Sequence, residues 1–425
     1  MTTVDTGPHP GGIAINPVTK LAYVIEDSST GRGGEVLVID MAYPRSVATI
    51  QIAADPADVA VNSYTNKIYV SHHSFYSGSP PPGLVTVIDG LSNSVLRTVS
   101  VGTDPMALAL DEGTNRIFTA NHDRSSRSVT VIDGSTDSVI STLAPLPGQN
   151  PYPYDIVVDQ STDKVYVSAG LPDGISIIDA KTASVIGWMD GPPADLILAV
   201  DSSRGVLYGA EDHAFKLHRF DLTSQSLTTT LTTKGRFDAI ATNPNTGRVY
   251  ATIWPDYEDP DRSAYLLGVD EDTGTLATKT SIREDFLITG MASYSPTYRL
   301  LLVSNLAQRV VVMTEDAVPP ISTLNASSPA MLHPGQTISG TVTDDFSGVS
   351  SVAVSFTSHT GTTTKDATVS CIAPTRLSCT WQTTVPTVQG GYVIQIQSTD
   401  RAGSVEPLGP QPQGRAGPYV IATIL

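Results

Sequence analysis

DVAVN (58–62), IYVS (68–71), VTVID (85–89) and SVLRTVSV (94–101) follow one another as four short strand-like segments. Small and β-branched residues alternate in the first, as a strand packed between neighbours requires. The second carries a [KR]-x-Tyr-Val signal, and the third closes on Val-Ile-Asp. The block recurs seven times. Its anchors are Tyr23, Tyr69, Phe118, Tyr166, Tyr208, Tyr250 and Leu302, spaced by 46, 49, 48, 42, 42 and 52 residues. Asp40, Asp89, Asp133, Asp179, Asp221 and Asp270 close the third strands, and the seventh ends at Met313. Several short strands in a fixed period of ~40–50 residues are the pattern of a β-propeller. The fold class expected is therefore all-β, with a seven-bladed propeller over residues 1–316.

The inner strand of each blade, strand A, reads GIAIN (12–16), DVAVN (58–62), ALALD (107–111), DIVVD (155–159), DLILAVD (195–201), DAIATN (238–243) and GMASY (290–294). The fourth strands, of the SVLRTVSV kind, are short by one, because the chain after Met313 runs into TEDAVPPIS. TVDTGPHP (3–10) aligns with TVSVGTDP (98–105), so a strand at about residues 2–6 is predicted to complete the seventh blade. Such closure removes exposed sheet edges.

IYVS (68–71), FTAN (118–121), VYVS (165–168) and the VTVID strings at 85–89 and 129–133 resemble the YVTN-type seven-bladed propeller repeat over about residues 3–313. That group includes surface-layer and periplasmic proteins, and related propellers include lactonases and streptogramin lyases. The resemblance implies the fold and is weak for function.

From Pro319-Pro320 the period stops. Short strands rich in Thr, Ser and Val follow at 337–344, 351–358, 366–371, 378–385, 392–400 and 419–425, which fits a β-sandwich over 320–425. DDFSGVSSVAVSF (344–356) and STDRAG (398–403) resemble bacterial immunoglobulin-like domains of secreted proteins. The two cysteines, Cys371 and Cys379, flank a hairpin centred on Pro374-Thr375-Arg376, which sets them opposite one another within reach of a disulfide. A disulfide implies an oxidising compartment, whereas two free cysteines would suit a cytosolic protein. The opening Met1-Thr2-Thr3-Val4 lacks a basic segment followed by an apolar core. An extracytoplasmic, mature chain with a starter Met is expected.

The net charge of −17 argues against nucleic acid as a partner. No run of ~18 apolar residues marks a membrane span. HExxH, GxSxG, Walker and CxxC motifs are absent. TGRGGE (30–35) joins two strands and reads as a turn.

Loops joining strand D to A and strand B to C lie on one face of a propeller. His9 falls in a D–A connection, and His72, His73, His122 and His213 fall in B–C loops. Only His218 of the propeller histidines falls in a strand. Imidazoles serve as metal ligands or general bases near neutral pH. Aspartate opens four inner strands, at Asp58, Asp155, Asp195 and Asp238. Convergent carboxylates there would draw calcium, magnesium or a cationic ligand. Alternatively, each accepts backbone N–H bonds from the adjacent blade. Three loops on the same face are unusual: GQNPYPYD (148–155) with Tyr152 and Tyr154, HHSFYSGSPPPG (72–83), and IWPDYEDPDRSAY (253–265) with Trp254 and Tyr257. Exposed aromatics beside polar groups suit sugars, peptides or flat organic ligands. The first reading is a secreted or periplasmic protein that binds a small-molecule, carbohydrate or peptide ligand on this face through His9, His73 and the four aromatics. The alternative is a metal-assisted lyase or hydrolase of the streptogramin-lyase or lactonase propeller kind. In it, the aspartates hold the cation and His122, His213 or His72 moves the proton. A purely structural surface protein would carry more tandem immunoglobulin-like units.

Overall fold

The computed structural model describes residues 2–27, 33–73, 82–124, 126–143, 152–170, 174–192, 194–211, 215–255, 264–271, 274, 276–281, 287–294, 299–314, 321–325, 330–344, 349–371, 378–400 and 419–424. Among them every regular element is a strand. No helix among the described residues is long and apolar enough to cross a membrane. The chain divides into two compact units, Met1–Tyr294 with Leu300–Met313 and Ser295–Arg299 with Thr314–Leu425.

The first unit holds seven four-stranded antiparallel sheets. In the second of them, strands A to D are Pro56–Asn62, Lys67–His72, Gly83–Asp89 and Ser94–Val101. Strands B and C are almost wholly buried, whereas D is exposed along most of its length. This gradient follows the composition: strands B and C carry apolar residues on both faces, as sheets covered on both sides require. Strand A of each sheet packs against strand A of the next, and the seventh packs against the first. A closed ring of such sheets is a β-propeller.

Tyr23, Tyr69, Phe118, Tyr166 and Tyr208 are at most 1% exposed, each wedged between its own sheet and a neighbour. Burying a side chain of this size contributes about 1.5–3 kcal/mol. In the seventh sheet the matching residue is Leu301 rather than Leu302. Leu301 and Val303 share a core with Ala22 and Val24 of the first sheet, the side to which the tyrosine positions point. At the other end of strand A, Asn16, Asn62, Asp111, Asp159, Asp201 and Asn243 are buried to 2% exposure or less. Their side-chain oxygens cap the A–B turns, as Asn62 does for the N–H groups of Tyr64 and Thr65.

Strand D of the seventh sheet is supplied by Thr2–Asp5. It pairs antiparallel with Arg309–Thr314 in the register Thr2↔Val312 to Asp5↔Arg309. Val4 enters the core between the seventh and first sheets.

The second unit has a sheet of Ile321–Ser322, Thr337–Thr343, Ser378–Thr384 and Thr368–Cys371. Its other sheet is formed by Ala330–Leu332, Tyr419–Ile424, Gly390–Asp400, Val349–Ser358 and Gly361–Asp366. The inward residues of both sheets, among them Val342, Trp381, Val354, Phe356 and Ile394, make one core. The strict buried–exposed alternation of Ser378–Thr384 shows the one-sided burial that its Thr/Ser pattern dictates. Ile321–Ser322, Ala330–Leu332 and Gly361–Asp366 escaped the pattern reading, being short or polar. Cys371 and Cys379 are direct cross-strand partners, 4.0 Å apart at Cα, and are joined by a disulfide.

Candidate functional site

The D–A connections of the first three sheets place His9, Asp55 and Asp104 directly before a proline, with φ of 50°, 56° and 55°. Left-handed backbone is uncommon outside glycine, and a following proline disfavours the helical regions further. A recurring hydrogen bond offsets that cost. The carbonyls of His9, Asp55 and Asp104 accept the N–H groups of Asp27, His73 and His122 at 3.3, 2.8 and 2.8 Å. Each turn is thereby stapled to the exit of strand B in its own sheet. Side chains from the D–A and B–C connections are brought to one end of the ring.

At the second, third and fourth sheets these positions become contiguous. His73 Nδ1 lies 3.1 Å from Asp104 Oδ1. Asp104 holds His122 through its carbonyl. His122 Nδ1 lies 3.0 Å from the Pro153 carbonyl, which can only accept, so Nδ1 carries the proton. In its neutral form such a ring presents a lone pair on Nε2. Its centroid lies 5.5 Å from that of Tyr152 and 6.1 Å from that of Tyr154. Arg127 donates to the Tyr152 hydroxyl at 2.7 Å and stands 4.5 Å from the Tyr152 ring centre. The cluster therefore offers a proton-accepting nitrogen, two aromatic faces, a phenol under a guanidinium, and a carboxylate–imidazole pair. It suits a ligand with hydroxyls and a flat or anionic group.

The repeat pattern does not single out Arg127 or Asp104. Asp104 could have been found from the Asp-Pro that it shares with Asp55-Pro56. Nothing local marks Arg127, whose partner comes from the next sheet.

The remaining candidates are placed differently. His72 is the last residue of strand B rather than a loop residue, and it is 3% exposed. Its Nδ1 donates to the Ala54 carbonyl at 2.9 Å, and its Nε2 pairs with Thr86 Oγ1 at 2.8 Å. Burial holds its pKa below the ordinary value, in keeping with a neutral ring whose two nitrogens are both engaged. His9 is exposed on the turn of the first sheet. Trp254 is half-buried on strand B of the sixth sheet, Arg248–Pro255, two sheets beyond the cluster. His213 and Tyr257 lie outside the described residues.

The four aspartates do not share one position. Strand registers give the opening position of strand A to Gly12, Asp58, Ala107, Asp155, Ile197, Ala239 and Gly290; Ile197 pairs with Ala210 and Ala239 with Thr252, as Asp58 does with Ser71. Asp195 precedes its strand, Leu196–Asp201, and Asp238 sits in a bulge between Phe237 and Ala239, 3.3 Å from Arg236. Bulges and longer entries add residues that a count along the string cannot locate.

Asp58 accepts the N–H of Val59 at 2.8 Å and, from the next sheet, that of Leu108 at 2.9 Å. Asp155 does the same with Ile156 at 2.7 Å and Leu198 at 2.6 Å. These are the inter-blade backbone bonds anticipated as the alternative to a cation site. Desolvation on the inner strands raises Asp58 to about 7, against the lowering effect of its N–H donors, and the Asp155 charge adds to the rise. Desolvation likewise raises Asp155 to about 6. Among the described residues no three His, Cys, Asp or Glu side chains converge as a metal cage.

In sequence, no family model and no curated protein matches the chain. In structure it is similar to the β-propeller domain of Cps50 (Swd1) from Myceliophteria thermophila, with a TM-score of 0.60 and 12% identity over 74% of this chain and 99% of that one. It is also similar to hydrazine synthase of Kuenenia stuttgartiensis, with a TM-score of 0.57 and 11% identity over 72% of this chain and 96% of that one. At this identity the likeness establishes the fold: the chain is a β-propeller protein.

Proposed function

We propose that this chain is an extracytoplasmic ligand-binding protein, a seven-bladed propeller of the YVTN type followed by an immunoglobulin-like domain. It takes a small-molecule, sugar or peptide ligand at His73, Asp104, His122, Arg127, Tyr152 and Tyr154. The observation that carries this reading is His122, held by the Pro153 carbonyl with its Nε2 lone pair beside two tyrosines. The disulfide supports an oxidising compartment. A screen of oligosaccharides and short peptides by ligand-observed NMR tests it. Hits retained by the wild type and lost in both His122→Ala and Arg127→Ala support the site. Hits indifferent to both substitutions, or none at all, overturn it.

The same nitrogen favours a second reading, a lyase or hydrolase in which His122 takes a proton from a bound substrate. In its metal-assisted form, Asp58 and Asp155 would have to exchange backbone N–H partners for a cation. Elemental analysis of purified protein addresses this directly. Stoichiometric calcium or magnesium that is lost in Asp155→Asn would support the cation, and metal-free protein would leave the two carboxylates a structural role.

A further inference from the structure

A second opening lies elsewhere on the ring, at the outer side of the fifth and sixth sheets. It is a cavity of about 220 Å³ between Leu231, Thr232, Thr233 and Lys234 at the end of the fifth sheet and Ile253, Tyr265, Leu267, Leu276 and Lys279 of the sixth. Ile253 and Leu267 are core residues, with Leu231 and Tyr265 packed against them, so the cavity is a gap in the apolar filling between two blades. The charged side chains described on its rim have one sign. Among the described residues, Lys234 and Lys279 line it, no carboxylate does, and neither lysine has an ion-pair partner. In a chain with 42 acidic against 25 basic residues, two lysines are the charged groups described on this apolar opening. Lys279 Nζ is held 3.7 Å from the centre of the Tyr265 ring, which fixes a cation at the mouth rather than leaving it free in solvent.

We infer that this cavity binds an aliphatic chain ending in a carboxylate, with the chain against Leu231, Ile253 and Leu267 and the carboxylate between Lys234 and Lys279. The size sets the chain length. Pockets for drug-sized ligands measure roughly 300–1,000 Å³, so this smaller one does not take a full-length lipid. At about 30 Å³ for each water-sized group, the space takes roughly seven groups, which is a medium-chain acid. An amine of the same chain would set ammonium against ammonium. An alcohol would fill the cavity without satisfying the lysines.

The site is independent of the one at His122, and octanoate tests it by isothermal titration calorimetry on the whole chain. One saturable site is expected, with octanol weaker and octylamine not bound. Lys234→Met and Lys279→Met, both at exposed positions, should each weaken octanoate about tenfold, the scale of a charge-assisted hydrogen bond. Leu276→Trp, at a residue 47% exposed on the rim, should block the opening without entering the core. His122→Ala should leave octanoate binding intact. Absence of saturable binding overturns the inference. So does an affinity unchanged in both lysine variants and in Leu276→Trp, or octylamine binding as well as octanoate.

Discussion

At the end of the ring that carries the A–B turns, neighbouring sheets are joined by contacts that repeat. Asn16 Nδ2 donates to Asn66 Oδ1 at 2.8 Å, and one sheet further on Asn62 Nδ2 donates to Asn115 Oδ1 at the same distance. At the opposite end the backbone staple repeats but the side chains do not. His73 meets a carboxylate, His122 a carbonyl and two tyrosines, and Arg127 a phenol. A scaffold needs the same bond at each joint, whereas recognition needs different groups around one point. On the proposed function, the unrepeated end is where the propeller would discriminate among ligands.

Four changes would break or sharpen that contrast. The largest effect is expected from deleting residues 1–7, which removes the strand paired with Arg309–Thr314 and the buried Val4. A loss of about 3–5 kcal/mol follows from the apolar burial and the ladder bonds removed. An unchanged thermal melt would show that the ring does not depend on its closure.

His72→Ala comes next. It leaves the Ala54 carbonyl and the Thr86 hydroxyl without their partner in a buried place, a cost of about 1–3 kcal/mol in denaturant unfolding. Ligand binding should be retained. Lost binding with intact stability would move His72 to the recognition end.

A third change concerns pH. Asp58 and Asp155 have folded values of about 7 and about 6, above the ~3.9 of an unfolded aspartate. The folded state therefore holds their protons more tightly. Their contribution is full below about pH 4 and is lost as the pH rises through 6 and 7. Melting temperatures of the Asp58→Asn, Asp155→Asn double variant should fall less than those of the wild type between pH 4 and 7. Parallel profiles would mean that the two carboxyls titrate normally.

The smallest change in stability is expected for His122→Ala, whose ring keeps one hydrogen bond at a half-buried position. It should cost about 1 kcal/mol or less while abolishing ligand binding. The paired histidines thus separate in opposite directions, and two histidine variants with the same profile would remove the distinction between the ends.

How far the sequence was legible depended on whether a partner was local. The tyrosine anchors and the Val-Ile-Asp endings mark strands because alternation and turn residues act within a few positions. Cys371 and Cys379 face each other because a short hairpin leaves little choice. Asp238 stands out of register because its bulge forms only when strands pair, and Asp195 because it lies before the strand that begins at Leu196. Leu301 rather than Leu302 faces the next sheet, as Arg299-x-Leu301 matches the [KR]-x-Tyr signal; in a run of three leucines that spacing is the mark to follow. Arg127 was missed because its partner, Tyr152, comes from another sheet.

The sequence by itself thus determined an all-β chain of repeated short strands, and with it the end of the ring where the copies differ. Only the tertiary structure decided that His72 is spent, that His122 keeps one nitrogen available, and that Asp58 and Asp155 bridge sheets while Asp195 and Asp238 stand elsewhere. The period of a repeat is set by local backbone preference and by apolar pattern. The state of a histidine or an aspartate is set by carbonyls and amides brought to it from residues ~15–50 positions away, which no local pattern records.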